Sequence, residues 1–221
     1  MRPRQTQSYE GPPTFNEEKD LLARGYGLIA GIDEVGRGSL AGPVAAAAVI
    51  LPPRIKSPWL SQVRDSKQLT PKQRQLLAPK IMEEALSFGV GMVSSDEIDK
   101  RGIVRATRKA MGLAVKQLDP APDYLLIDAV ALPALKLPQK HMIKGDCLCI
   151  SISCASIVAK VARDKLMTEY GRKYPGYGFG SHKGYGTEEH VAALQRLGAC
   201  GIHRRSFEPV RAVCNPDLGI E

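Results

Sequence analysis

Two short apolar runs in this chain end on carboxylates. Residues 27–34 (GLIAGIDE) close on Asp33 and Glu34, and residues 124–129 (YLLIDA) carry Asp128 near their end. Runs of this length, bounded by Gly and Pro, suit strands of a buried sheet better than helices. A carboxylate at the end of a buried strand is expensive unless it is paired or holds a metal. In open α/β sheets the functional crevice lies at the carboxyl ends of the strands, so such acids can converge there.

The remaining periodicities surround these runs with further strands and helices. Residues 42–51 (GPVAAAAVIL) and 88–93 predict two more strands. Thr70, Pro71 and Gln73 supply an N-cap, a first-turn proline and a capping-box partner for a helix carrying Leu76, Leu77, Ile81, Ala85 and Leu86, with Pro79 speaking against it. Ser95 predicts the cap of a helix that carries Ile98, Ile103, Met111, Val115 and Leu118. Residues 157–170 (IVAKVARDKLMTEY) form an amphipathic pattern, residues 171–187 a Gly, Tyr and Lys-rich loop, and residues 188–197 a shorter helix. Strands interleaved with helices give an α/β class, one sheet covered by helices. The 221 residues fit one large domain over 21–213, after a disordered polar leader over 1–20 and before a tail over 214–221.

Charge and patterning narrow the function. Lys and Arg outnumber Asp and Glu by 31 to 23, a net +8, which favours a polyanionic partner. The amino terminus lacks the apolar core of a signal peptide, and the most apolar run, residues 41–51, contains Pro43 and is about half the ~20 residues a membrane helix needs. The expectation is a cytoplasmic protein with no transmembrane segment. Five cysteines without a CxxC pair read as reduced thiols; the spacing of His141, Cys147, Cys149 and Cys154 fits no common zinc pattern, and small buried cysteines are the plainer reading.

Asp146, after Lys144 and Gly145, is a candidate fourth carboxylate beside Asp33, Glu34 and Asp128. Four hard oxygen ligands with no histidine nearby in sequence suit Mg2+ or Mn2+. Two such ions, ~3.5–4 Å apart, activate a water and stabilise the leaving oxygen of a phosphodiester displacement. Salt bridges from these acids to the plentiful Arg and Lys are the competing reading. Gly36, Gly38 and Ala41 also satisfy a loose dinucleotide fingerprint, but residues 35–64 contain no acid to bind a ribose and Pro52-Pro53 ends the run that follows. These glycines better serve close backbone approach to a sugar-phosphate, with Arg37 as anion contact. Lys67, Lys144, Lys183, Arg204 and Arg205 are phosphate contacts or solvated charges, and Tyr185 either stacks on a sugar or base or packs within its Gly-rich loop. Ser66 and Ser206 have no histidine at a spacing that suggests a hydrolytic triad.

The stretch GIDEVGRGSLAGPVAAAAVIL, followed by DSKQLT, LLIDA, KGD, SISCASIVAKVARDKLM, YPGYGFGSHKGYGT and HRRSF, resembles bacterial ribonuclease HII over residues 21–210. The resemblance implies a ribonuclease H-like fold: a mixed central sheet flanked by helices, a helical C-terminal region, and the Asp33 and Asp128 strands as neighbours. It implies metal ligation by Asp33, Glu34, Asp128 and Asp146, sensing of the ribose 2′-hydroxyl by Gly36, Arg37 and Gly38, and a substrate-contacting tyrosine at Tyr185. The implied activity is cleavage of the RNA strand of RNA/DNA hybrids, and cleavage 5′ to a single ribonucleotide in duplex DNA, leaving a 3′-hydroxyl and a 5′-phosphate. Ala129-Val130 after Asp128, where many relatives have Gly and Asn, and Ser39 in place of a frequent proline, are the departures. The alternatives are a ribonuclease HIII-like enzyme, disfavoured by the short leader and the Gly36-Arg37-Gly38 loop, and a non-catalytic hybrid-binding module. A monomer is expected.

Overall fold

The computed structural model describes residues 11–215. In chain order the elements are α1 (Asn16–Ala23), β1 (Ile29–Val35), β2 (Val44–Ile50), α2 (Pro71–Glu84), β3 (Ser87–Val93), α3 (Ser95–Arg101), α4 (Ile103–Val115), β4 (Tyr124–Asp128), β5 (Gln139–Met142), α5 (Gly145–Leu148), α6 (Ile150–Lys173), α7 (Phe179–His182), α8 (Glu188–Leu197) and α9 (Val210–Cys214). One five-stranded sheet runs β3-β2-β1-β4-β5. The β1–β2 and β2–β3 pairs are antiparallel, whereas β1–β4 and β4–β5 are parallel, so the sheet is mixed and β1 is its central strand.

The alternation of β2 explains its alanines. Ala46, Ala48 and Ile50 face α4 through Ala106, Ala110, Met111 and Ala114. Ala47 and Val49 face the opposite layer, where α2 brings Leu77 and Ile81 and α6 brings Cys154, Ala155, Ile157 and Val158. Alanine is a poor strand former, but here small side chains on both faces let a helix approach from each side. Gly31 of β1 takes this further: a Cβ there would overlap the backbone of Ser151 in α6.

Several boundaries differ from the sequence reading. Thr70 makes the expected capping box with Gln73, and α2 runs through Pro79 without a break. The helix expected to be capped by Ser95 is capped by Ser94, and it is two helices, parted at Gly102, whose φ of 77° favours glycine. Helix α6 begins at Ile150 and ends at Lys173, so it takes in the small-residue stretch before residue 157 and the first part of the expected 171–187 loop. That loop also contains α7.

The disordered leader is corrected over residues 14–20. Thr14 N–H donates to Leu148 O at 3.0 Å, and α1 begins at Asn16. Glu18 is buried and accepts from Ser151 N–H at 2.9 Å, satisfying one of the free donors at the start of α6. An acid that looks like solvent-facing charge is thus a helix cap from another element. The first ten residues of the leader and residues 216–221 of the tail lie outside the described residues.

Candidate active site

The pairing of β1 with β4 builds the centre of the site. Gly31 pairs with Leu126 and Ile32 with Ile127, so the next step along each strand sets Asp33 beside Asp128 at the carboxyl ends of two parallel neighbours. Glu34 follows on β1. One carboxylate oxygen from each of Asp33, Glu34 and Asp128 lies within 4.8 Å of the others. Asp146 is buried in the first turn of α5, and the preceding Gly145 N–H donates to Asp128 Oδ1 at 2.7 Å, which ties α5 to the end of β4. Ser153 Oγ of α6 donates to the Asp146 carbonyl and secures the same turn from behind.

The electrostatics are those of a site short of positive charge. Burial, then the charges of Glu34 and Asp128, push Asp33 well above the usual carboxylate range. Burial pushes Asp128 up to about 6, against the Gly145 N–H, and Asp146 and Glu34 add to the rise. Burial raises Glu34 as well, opposed by Arg37, whose Nη1 lies 3.2 Å from Oε1. Lys67 Nζ sits 3.2 Å from Asp146 Oδ2 and 3.8 Å from Asp65 Oδ1; burial acts to lower it, and the two carboxylates overcome this and raise it. The salt-bridge alternative therefore holds for Glu34 and Asp146, while among the described residues Asp33 and Asp128 have no ion-pair partner.

These residues fit a divalent cation. The donors are all carboxylate oxygens, and Glu34 Oε2 is buried with no hydrogen-bond partner among the described residues. An acceptor left bare in a buried site costs ~1–3 kcal/mol, which a cation bound there would recover. The zinc set His141, Cys147, Cys149 and Cys154 does not assemble: His141 is exposed, Cys149 and Cys154 are buried thiols, and Cys147 instead lies beside Asp65 and Asp146. Burial, then Asp146 and Asp65, push the Cys147 thiol up to about 11, so it stays protonated at neutral pH.

Beside the acids, two buried arginines shape the loops around Gly36 and Tyr185. Arg204 is fully buried, so it is no phosphate contact, which corrects that expectation. Its guanidinium donates to the carbonyls of Gly36 (2.6 Å), Arg37 (2.8 Å) and Gly42 (3.0 Å). Arg163, from the middle of α6, donates to Pro43 O (2.9 Å), Lys183 O (2.9 Å) and Ala41 O (3.2 Å). Gly36 has φ 86°, and a Cβ there would overlap the Arg163 side chain, whereas nothing lies near Gly38. The two loops are also joined directly, since Gly184 O accepts from Leu40 N–H at 2.8 Å and Ala41 N–H at 3.3 Å.

Tyr185 stands on this platform with 37% of its surface exposed and the Arg163 and Lys160 cations 5.6 and 5.7 Å from its ring centre. Lys183 turns its ammonium to Thr168 Oγ1 at 2.8 Å and its backbone adopts φ 54°. Lys144 is exposed, and its φ of 58° turns the chain into α5. Arg205 is exposed, with its backbone N–H bonded to Asp99. Arg163 is a site residue that the sequence reading passed over, because an arginine within an amphipathic helix looks like part of its polar face.

The protein-family model described as Ribonuclease HII matches residues 30–210. The chain is 53% identical over 201 residues to the ribonuclease HII of Dehalococcoides mccartyi strain 195, covering 91% of this chain and 95% of that protein. It is 54% identical over 196 residues to the ribonuclease HII of Geobacillus kaustophilus, covering 89% and 74%. Among solved structures it is similar to ribonuclease H2 from Pyrococcus horikoshii OT3, with a TM-score of 0.72 and 26% identity over 87% of this chain and 99% of that one. The fold is shared with Bst-RNase HIII in complex with Mn2+, with a TM-score of 0.66 and 19% identity over 86% and 70%.

Proposed function

The chain belongs to the ribonuclease HII family and is a divalent-metal-dependent ribonuclease H acting on RNA/DNA hybrids, and from that premise we propose that it also cuts 5′ to single ribonucleotides embedded in duplex DNA. The products are a 3′-hydroxyl and a 5′-phosphate. The observation that carries the site assignment is the convergence of Asp33, Glu34 and Asp128 with Asp33 free of any ion pair among the described residues. A hybrid-binding module has no use for such an arrangement, since burying like charges together costs stability.

In this reading Asp33, Glu34, Asp128 and Asp146 hold Mg2+ or Mn2+. A pair of such ions supplies an activated water and charge stabilisation at the leaving oxygen. Gly36, Arg37 and Gly38 present backbone groups to the 2′-hydroxyl, and the bare surroundings of Gly38 let a sugar approach. The Tyr185 ring packs on the deoxyribose of the adjoining nucleotide and orients the scissile phosphate over the acids. Lys67 and Lys144 meet phosphates, as does Lys183 once its ammonium leaves Thr168. The same reading has a monomer acting in the cytoplasm; no helix among the described residues is long and apolar enough to cross a membrane, and light scattering tests the monomer.

Steady-state kinetics on a long RNA/DNA hybrid and on a duplex with one ribonucleotide, each with and without Mg2+ or Mn2+, test the proposal. Tyr185→Ala is expected to cut single-ribonucleotide cleavage far more than hybrid cleavage, with Tyr185→Phe milder if stacking dominates. Equal losses on the two substrates would remove Tyr185 from the recognition site.

A further inference from the structure

Three histidines surround the loop that carries Tyr185, and their hydrogen bonds define which nitrogen of each holds the proton. Tyr185 O can only accept, so His190 Nδ1, at 2.9 Å from it, carries a hydrogen. Cys200 N–H can only donate, so His203 Nδ1, at 3.0 Å, is bare, and the proton of neutral His203 is on Nε2. That Nε2–H points at His190 Nε2 at 3.1 Å, which is the bare nitrogen of His190. The bonds thus run one way, from Cys200 through His203 and His190 to the Tyr185 carbonyl. His182 obeys the same logic, donating from Nε2 to Tyr177 O at 2.7 Å and accepting at Nδ1 from Gly184 N–H at 3.2 Å, next to Tyr185.

We propose that His203 and His190 are positioning residues for Tyr185, a relay of two neutral imidazoles that fixes the Tyr185 backbone and so aims its ring at the nucleotide beside the scissile phosphate. The inference rests on the recognition role given above to Tyr185. His190 and His203 are both buried, and nothing in hydrolysis requires a histidine pair at this place. What the pair does offer is direction: a proton added to either ring sets N–H against N–H across the 3.1 Å contact, or against the Cys200 N–H.

The charged and titratable groups facing the pair are His182, stacked on His190 at 4.4 Å, the Cys200 thiol, the Tyr177 ring, Glu189 and Arg205. Burial, then His190, hold His203 down to about 4, and burial lowers His190 as well, so both rings resist protonation more than a free imidazole does.

Asparagine and glutamine separate the relay from a merely structural role. The amide nitrogen of Asn reaches the place of Nδ1 and still donates to Tyr185 O, whereas that of Gln reaches the place of Nε2. His190→Gln is expected to raise KM for the single-ribonucleotide duplex about five- to tenfold, the equivalent of one lost hydrogen bond, with kcat and long-hybrid cleavage changed much less. His190→Asn, which keeps the donor to Tyr185 O but gives up the acceptor for His203 Nε2–H, should rescue that loss in part. Adding His190→Gln to Tyr185→Ala should cost nothing more, and histidine 15N shifts at pH 7 should report Nδ1–H for His190 and Nε2–H for His203. Equal harm from Asn and Gln, equal losses on both substrates, or the opposite tautomers would overturn the relay. If Tyr185→Ala is selective and His190→Gln is not, the relay alone fails; if Tyr185→Ala is itself unselective, the recognition role fails and takes the relay's function with it.

Discussion

Arg204 Nη2 donates to the carbonyl of Gly36 at 2.6 Å, joining two residues 168 positions apart. Arg204→Ala strands the buried carbonyls of Gly36 and Gly42 and the part-buried one of Arg37, and at ~1–3 kcal/mol for each buried unsatisfied group the fold should lose at least ~2 kcal/mol. Arg204→Lys should recover little, because one ammonium cannot reproduce the planar fork. Thermal denaturation checks the first statement, and KM for the single-ribonucleotide duplex checks whether the slackened loop binds worse.

Asp33→Asn should keep the fold and lower turnover by several orders of magnitude, because a neutral amide weakens the ligand at the centre of the carboxylate cluster. Circular dichroism and hybrid-cleavage kinetics decide it. More than a tenth of the original rate would exclude Asp33 from the machinery.

Asp128 is held up to about 6 in the metal-free fold, chiefly by burial. An acid raised on folding binds its proton more tightly in the native state, so stability is lost as pH rises from the unfolded value through the folded one. Asp128→Asn keeps an acceptor for Gly145 N–H and removes that loss. In chelator the variant should melt higher than the parent at pH 7.5, with the gap closing as pH falls through 6 toward 4. Added divalent ion should raise the parent's Tm and leave that of the variant nearly unmoved.

Ala129 follows Asp128 with φ 54°, in the region that favours glycine. Ala129→Gly removes a left-handed strain of ~1–2 kcal/mol, partly offset by the greater freedom of glycine in the unfolded chain. A Tm rise of a few degrees is expected, without loss of hybrid cleavage. A fall in Tm would mean that the Ala129 methyl contributes packing worth more than the strain.

Binding to a hybrid should weaken steeply with salt, because Lys and Arg displace counterions from phosphates. A titration of the Asp33→Asn variant between about 50 and 200 mM salt would read the slope. A flat response would contradict a phosphate-tracking basic surface on this +8 chain.

The parts legible in the sequence are those where one periodicity decides. The runs ending at Asp33 and Asp128 are strands because both faces are buried, and α8 spans Glu188–Leu197 as its pattern implies. Strand β5 escaped notice because Gln139–Met142 is a polar edge with neither face fully buried. The start of α6 was hidden because Ser151, Ser153 and Ser156 are all buried beside the sheet, so no polar face marks the helix. The four acids were legible as strand-end or turn carboxylates, and the family resemblance named them together. The buried roles of Glu18, Arg163 and Arg204 were not, since a charged side chain shows its burial only when distant carbonyls or N–H groups are brought to meet it.

The grip of Arg204 on Gly36 has a consequence for the order in which the molecule comes into being. During synthesis Asp33 and Glu34 leave the ribosome early, and Asp128 and Asp146 complete the carboxylates well before the end. The arginine that shapes the loop around Gly36 and the histidine at the head of the Tyr185 relay, residues 204 and 203, emerge among the last parts of the described chain. A nascent chain therefore holds all four carboxylates before the side chain that ties the Gly36 loop, and a product that stops short of residue 204 would leave the carbonyls of Gly36, Arg37 and Gly42 without their donor.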